Sequence, residues 1–224
     1  MQQMSDNEIR TNILEIAKNM YQKGLVNAYE GNVSYNNNGK IYITPSQVCK
    51  GYLTNDMLIV TDMSGCIIEA KDGYKPSSEL KLHLACYRIN VEIKAVVHTH
   101  SPYATAYALA NKPIITKAYP EMIVVFDKIP LVKYGRPSTD DIHTDLKNVI
   151  SHDCDVFLLA NHGIVSVGTD MFDAFFKIEA VENIAKVLTI TEQIGGEKPL
   201  SHEELSALYE MRKELLEKKK SSGL

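Results

Sequence analysis

A chain of 224 residues can bury a sizeable core, and we expect residues 1–224 to form a single domain. Its 45% hydrophobic and 23% charged residues are ordinary for a globular protein. The net charge of −4 argues against a nucleic-acid surface or an anionic membrane as partner. An anionic ligand would therefore need local help from backbone amides, hydroxyls or a metal.

The cellular compartment follows from what the sequence does not contain. Residues 1–12 are polar and lack the apolar core of a signal peptide, and no stretch reaches the roughly 18 apolar residues of a membrane span. The four cysteines form no Cys-x-x-Cys pair. These features predict a cytoplasmic protein with reduced thiols.

The first third of the chain predicts a helix followed by β-hairpins. Ser5 and Glu8 fit a capping box, apolar residues recur at helical spacing as far as Met20, and Gly24 ends the run. Short β-like runs follow, separated by Asn-Gly and Ser-Gly turns, at 33–35, 40–44, 57–61 and 66–69. Hairpins join antiparallel strands, so the sheet should contain antiparallel pairs.

From residue 77 onwards, helical patterns alternate with short buried strands. Helices are expected at 80–87, 102–110, 138 or 139 to about 150, 171–194 and 202 to about 219. Strands are expected at 95–97, 122–126, 131–134, 156–159 and 164–167. We expect the tail, about 218–224, to be disordered.

Two histidines directly follow the predicted strand at 95–97. His98 and His100 are two residues apart, so on a strand they would point to the same side. Zinc and similar ions favour imidazole nitrogen, and catalytic sites combine three protein ligands with an open position. The pair is therefore half of a candidate metal site, and two hydrogen-bonded histidines are the alternative interpretation.

A third histidine, His162, lies between the predicted strand at 156–159 and Gly163. A glycine turn after a buried strand places it well as a third ligand, although a structural histidine would fit the same position. The remaining histidines lack such support and are interpreted as surface or helix-face residues: His83, His143, His152 and His202.

The predicted helix at 80–87 begins with Ser77, Ser78 and Glu79. A helix cap with a carboxylate that suits the helix dipole explains these residues. They could also bind a ligand, because free amides and hydroxyls at a helix N-terminus bind phosphate. In that interpretation Glu79 could serve both as a metal ligand and as a base.

Five segments occur in the order seen in the class II aldolase/adducin family, which this sequence resembles from about residue 12 to residue 194. They are Gly31-Asn32-Val33-Ser34, Ile43-Thr44-Pro45-Ser46, Pro76-Ser77-Ser78-Glu79, Val97-His98-Thr99-His100 and Asn161-His162-Gly163. The resemblance implies an α/β fold, a three-layer α/β/α sandwich with a central, largely antiparallel mixed sheet. It also implies a homotetramer with active sites at the subunit interfaces.

The resemblance further implies a set of site residues. One Zn²⁺ per subunit, or Mn²⁺ or Co²⁺ in its place, would have four ligands, His98, His100, His162 and Glu79. Glu79 would also be the base, and Tyr119 of the neighbouring subunit would protonate the aldehyde oxygen. The substrate phosphate would be bound by Gly31, Asn32, Thr44, Ser46, Ser77 and Ser78. Gln47 departs from the family pattern, which has glycine at this position of the phosphate loop.

The activity implied is that of a metal-dependent aldolase. It would cleave a ketose 1-phosphate, of the fuculose or 5-deoxypentulose type, to dihydroxyacetone phosphate and a small aldehyde through a metal-stabilised enediolate. Alternatives on the same metal site are a methylthioribulose-1-phosphate dehydratase, a sugar-acid phosphate decarboxylase and a pentulose-phosphate epimerase, although the epimerases have aspartate in place of Glu79. A non-catalytic, adducin-like interaction module is a further alternative, and it would lack the metal ligands present here.

Overall fold

The fold is organised around an eight-stranded sheet with helices on both faces. The computed structural model describes residues 4–136, 139, 145–151 and 153–222. In this part of the chain the α-helices are α1 (Asp6–Gln22), α2 (Leu80–Ile89), α3 (Pro102–Leu109), α4 (Pro120–Val125), α5 (Met171–Gln193) and α6 (His202–Ser222). The strands are β1 (Asn32–Asn37), β2 (Lys40–Ile43), β3 (Ile59–Thr61), β4 (Ile67–Glu69), β5 (Ala95–Thr99), β6 (Ile114–Ile115), β7 (Lys128–Ile129), β8 (Leu131–Val132), β9 (Val156–Leu159) and β10 (Gly163–Gly168).

The predicted hairpins make up half of the large sheet. Its strand order is β4-β3-β2-β1-β5-β10-β9-β8, so β5 lies in the middle, between β1 and β10. Neighbouring strands are antiparallel except for β8 and β9, which are parallel. The sheet is therefore mixed and largely antiparallel, as the sequence predicts. A separate pair is formed by β6 and β7.

Alternating residues of the central strands divide the core into two layers of side chains. On β5, Ala95 and Val97 pack with apolar residues of α1, α3 and α5, whereas Val96 packs on the opposite face with residues of α2. Successive strand residues point to opposite faces, so a strand buried on both sides needs apolar residues throughout. The three-layer sandwich predicted from the family resemblance is confirmed.

One predicted strand is wrong. The run at 122–126 was expected to be a strand, but it belongs to α4, with Phe126 as the residue that ends the helix. A short apolar run does not by itself distinguish a buried strand from a buried helical turn. Pro120, in the first helical turn, is the signal that favours the helix, because proline is common at that position.

Four other predictions remain, three on the second half of the chain and one on its domain organisation. The helix expected from 138 or 139 to about 150 lies largely outside the described residues, and in the described portion 146–148 forms a single 3-10 turn. The strand expected at 131–134 is the shorter β8. The structure continues α6 to Ser222, while disorder from about residue 218 and the single-domain organisation stay predictions. Among the residues that the structure describes, no helix combines the length and apolar character that crossing a membrane requires.

Two glycines with nearly the same φ allow a test of packing beneath β1. Gly24, after α1, has φ 69°, and Gly31, before β1, has φ 72°. A Cβ on Gly24 would meet no atom within 4 Å, whereas a Cβ on Gly31 would lie 2.4 Å from Val26 Cγ1 and 3.1 Å from the carbonyl oxygen of His98.

We expect Gly24→Ala to lower the free energy of unfolding by about 1 kcal/mol, the cost of a left-handed alanine. Gly31→Ala should add a further loss of ~1–3 kcal/mol, because its side chain also overpacks the core. Urea unfolding of both variants measures the difference. Equal losses would show that the space around Gly31 adjusts without cost.

Candidate active site

The three predicted histidines converge at one end of the sheet. His98 lies on β5, His100 follows it, and His162 lies in the turn between β9 and β10. Because β10 pairs directly with β5, this turn is brought against the end of β5. The three rings have centroids 4.8–4.9 Å apart, and one nitrogen of each lies within 4.8 Å of the others.

The turn that carries His162 needs both residues that flank it. Asn161 has φ 58°, a left-handed conformation that asparagine tolerates better than most residues. A Cβ on Gly163 would lie 2.5 Å from the carbonyl oxygen of Thr99 and 2.8 Å from His100 Cδ2. Only glycine allows β10 to approach β5 this closely, so the Asn-His-Gly segment is explained by backbone geometry as well as by its histidine.

Glu79 directly precedes α2, and its carboxylate enters the histidine cluster. Its Oε2 lies 3.0 Å from His98 Nε2, and its Oε1 lies 3.0 Å from His162 Nε2. Asn32 donates a hydrogen bond of 3.0 Å to Oε2. Burial disfavours the charge of Glu79, but the neighbouring His98 and His162 outweigh this and hold the pKa of Glu79 well below its usual value.

The arrangement of donor atoms fits a divalent cation. His98 Nδ1 lies 2.9 Å from the carbonyl oxygen of Ile164, which can only accept, so Nδ1 carries the proton. The lone pair of His98 Nε2 then faces both Glu79 Oε2 and His100 Nε2, each at 3.0 Å. Electron-rich atoms this close repel one another unless positive charge lies among them. Three imidazoles and one carboxylate match the ligands of catalytic zinc sites.

The titration of the cluster also indicates a site for positive charge. Burial opposes the charging of His98, but attraction to Glu79 dominates and raises the pKa of His98. Burial and the rings of His98 and His162 lower the pKa of His100 to about 4. The cluster therefore does not accommodate several protons at once, and a single ion shared by all the ligands relieves the crowding better than separate protons do.

A cavity of about 170 Å³ opens beside Glu79, His100 and His162. Five of the six predicted phosphate-binding residues line it: Gly31, Asn32, Ser46, Ser77 and Ser78. Thr44 is buried next to it, where its hydroxyl oxygen accepts the backbone N–H of Val33 at 3.2 Å. The carbonyl oxygen of Thr44 accepts the N–H of Ser77 at 3.2 Å, so Thr44 supports the cavity wall, and direct contact with phosphate stays a prediction.

Lys50 is a cavity residue that sequence reasoning missed. It lines the same cavity with 2% exposure, and its Nζ donates to the carbonyl oxygen of Val48 at 2.7 Å. Within the described ranges no carboxylate forms an ion pair with Lys50, and burial lowers its pKa to about 8. A buried cation without a counter-charge suits an anionic ligand. The sequence feature that could have identified Lys50 is its position on the loop that carries Ser46.

The backbone conformation of Gln47, on the same loop, shows why the family pattern has glycine at this position. It has φ 58° and lines the cavity. The loop thus keeps the left-handed backbone that glycine adopts freely, while a glutamine side chain is added to the cavity wall.

His83 lies on a face of α2, as one of its two interpretations has it, but the surface interpretation is wrong. The residue is completely buried between α2 and β1. Burial lowers the pKa of His83 to about 3, so its ring is neutral. His202 is exposed at the start of α6, as predicted, and His143 and His152 lie outside the described residues.

Tyr119 does not line the cavity beside Glu79. It is the residue before α4, and it lines a different cavity of about 320 Å³ between α4 and α5. Within one chain, therefore, the structure does not bring Tyr119 to the histidine cluster.

The fold and the histidine–carboxylate site define a metal-dependent aldolase-type protein. The family described as the class II aldolase and adducin N-terminal domain matches residues 11–189, and the chain belongs to this family.

Similar proteins include both aldolases and decarboxylases. A Methanococcus maripaludis protein named L-fuculose phosphate aldolase is 35% identical over 177 residues, which are 79% of this chain and 94% of the relative. An Escherichia coli protein named 3-oxo-tetronate 4-phosphate decarboxylase is 32% identical over 212 residues, 92% of this chain and 96% of the relative. A solved L-fuculose 1-phosphate aldolase superposes with a TM-score of 0.82 and 25% identity, covering 95% of this chain and 100% of that structure.

The histidine cluster predicts that one ligand can be removed without unfolding the chain. His100 is only partly buried, so His100→Ala should leave the fold intact. We expect divalent-metal affinity to fall by more than ~100-fold, beyond the loss that removal of an outer partner causes. Metal analysis after dialysis, with circular dichroism, measures both properties. His202→Ala is the control for an exposed histidine, and stoichiometric metal in His100→Ala would contradict the assignment.

Proposed function

We propose that this protein is a divalent-metal-dependent aldolase that cleaves a ketose 1-phosphate to dihydroxyacetone phosphate and a small aldehyde. One observation carries the proposal: the carboxylate of Glu79 lies between the histidine cluster and a cavity lined by donors for an anion. The relatives named L-fuculose phosphate aldolase support the substrate class.

His98, His100 and His162 would hold the ion, one per subunit, with Glu79 as a ligand that the substrate displaces. Zn²⁺ is the proposed ion because it favours imidazole and an open fourth position, and Mn²⁺ or Co²⁺ could occupy the same ligands. When bound, the ion would supply positive charge that stabilises the electrons left on the ketone fragment.

Glu79 would be the base. In the direction of synthesis it takes a proton from the carbon beside the carbonyl of dihydroxyacetone phosphate, and in cleavage it returns that proton. Its two oxygens are not equivalent. Oε2 accepts from Asn32, whereas Oε1 is buried with His162 Nε2 3.0 Å away, and that nitrogen would carry no proton to donate when it binds the ion. Oε1 is therefore the oxygen available for the proton.

The phosphate would occupy the part of the cavity lined by Ser77 and Ser78, with Ser46 and the Lys50 cation nearby. A phosphate there is a handle that does not react, and its binding energy positions the reacting carbons beside Glu79.

A second candidate function is the decarboxylation of a sugar-acid phosphate. It is favoured by the 32% identity to the Escherichia coli decarboxylase, which extends over 92% of this chain. Loss of CO₂ from a 3-oxo acid and aldol cleavage both leave negative charge beside a ketone, so the same ligands would serve either reaction. A panel of ketose 1-phosphates and 3-oxo-acid 4-phosphates, monitored for aldehyde and for CO₂, discriminates between them.

The protein is further proposed to act in the cytoplasm, where its four free thiols would stay reduced, as a homotetramer with interfacial active sites. Support for the assembly comes from α5, which exposes the apolar side chains of Phe176, Val187 and Ile190, the first of which lines the cavity of Tyr119. An interface there would cover these side chains and would let Tyr119 serve a neighbouring subunit.

Replacement of Glu79 tests the base. Glu79→Gln keeps the shape of the side chain but cannot accept the proton, so we expect it to retain metal and to bind dihydroxyacetone phosphate. Proton exchange from this compound into deuterated water should fall by ~100-fold or more. Glu92→Gln, at an exposed position, is the control. Undiminished exchange in Glu79→Gln would exclude Glu79 as the base, and no exchange in metal-loaded wild type would favour another reaction.

Hybrid oligomers test the interfacial site. We expect Tyr119→Phe alone to lose roughly 100-fold in turnover, because it removes a proton donor. If Tyr119 serves the site of a neighbour, random reassembly of equal amounts of Tyr119→Phe and Glu79→Gln subunits should restore about a quarter of wild-type activity. Reassembly of Glu79→Gln with the doubly substituted chain should restore none. Failure of the first mixture to recover would contradict an intersubunit role for Tyr119.

A further inference from the structure

A chain of buried hydrogen bonds runs from the core to Glu79. Tyr87 OH lies 2.6 Å from Ser34 Oγ, which lies 2.6 Å from Nδ1 of His83. His83 Nε2 lies 2.5 Å from Asn32 Oδ1, and Asn32 Nδ2 lies 3.0 Å from Glu79 Oε2. None of the five residues is more than 7% exposed.

This series of hydrogen bonds forms because β1 and α2 present matching rows of side chains. Asn32 and Ser34 are two residues apart on β1 and face α2. Glu79, directly before α2, and His83 and Tyr87, on α2, follow one another at intervals of four residues. Two strand residues advance by about 6.7 Å, and four helical residues advance by about 6 Å. The two rows therefore interleave, and each polar group meets its neighbour in the other element.

The direction of every hydrogen bond in the chain is determined. A carboxylate only accepts, so Asn32 must turn its NH₂ group to Glu79 and its carbonyl oxygen to His83. His83 Nε2 must then carry the single proton of the neutral ring, which leaves Nδ1 as an acceptor.

The same reasoning continues into the core. Ser34 must donate its only proton to His83 Nδ1, and Tyr87 must therefore donate to Ser34. All the donors thus point towards the carboxylate, and hydrogen bonds aligned in this way polarise and strengthen one another.

We propose that His83 is a positioning residue for the base: its Nε2–H fixes the amide of Asn32, which holds Oε2 of Glu79 and leaves Oε1 free for the substrate proton. If the Asn32 amide were reversed, its carbonyl oxygen would face the carboxylate at about the same distance and repel it. The proposal rests on the proposed function only in taking Glu79 as the base.

Replacing His83 with two amide side chains of different length, Asn and Gln, tests this role. The Gln side chain can place an N–H where His83 Nε2 lies, whereas Asn reaches only the position of Nδ1. We expect His83→Asn to lose ~10–100-fold in kcat for exchange of dihydroxyacetone phosphate protons, with little change in KM, as for other residues that orient a functional group. His83→Gln should stay within a few-fold of wild type. Both variants should retain metal and lose similar thermal stability, so equal losses of kcat would overturn the proposal.

A second measurement does not depend on activity or on variants that fold. Ring ¹⁵N shifts of His83 in the metal-free wild-type protein should show Nε2 protonated and Nδ1 unprotonated. A ring with its proton on Nδ1, or on both nitrogens, at neutral pH would overturn the proposal. If the expected tautomer is found but metal-loaded wild type exchanges no protons, the proposed aldolase function fails while the role of His83 in orienting Asn32 stands.

Discussion

The site depends on a crowding of donor atoms that one bound cation relieves better than separate protons do. Imidazole nitrogens and a carboxylate oxygen are held 3.0 Å apart in a buried position, where their lone pairs repel. Rigid backbone imposes this arrangement, since His98 belongs to the central strand β5 and His162 to a turn with little freedom. A bound cation converts the repulsion into attraction, so metal binding and local stability are expected to be coupled.

The sheet supplies this rigidity. With β1 on one side and β10 on the other, β5 is paired along both edges, and neither the backbone nor the rings at its end can shift without disrupting ladder hydrogen bonds. The cavity is built differently, from loops such as the one carrying Gln47 and Lys50. Metal ligands held by the sheet and the turn beside it, and substrate contacts held by loops, would let specificity change while the chemistry is kept.

Many of the helices, strands and metal ligands could be predicted from the sequence because they depend on residues close together in the chain. The capping box of α1, the hairpins and the His-x-His spacing each depend on nearby residues. The failures were of two kinds. At 122–126 the periodicity was too short to separate helix from strand. For His83 the determining contact, with Asn32, spans 51 residues of sequence, and a histidine on a helix reads the same whether solvent or a strand covers it.

The interleaving of β1 with α2 restricts how this protein can evolve. Inserting or deleting one residue between Glu79 and Tyr87 would rotate the rest of the helical row by about 100° and separate it from β1. Substitutions can be absorbed there one at a time, but changes of length cannot. The turn between β1 and β2 carries no such constraint at its tip, since a Cβ at Gly39 meets open space. Length variation among descendants should therefore accumulate in that turn and spare the segment that connects the core to the carboxylate.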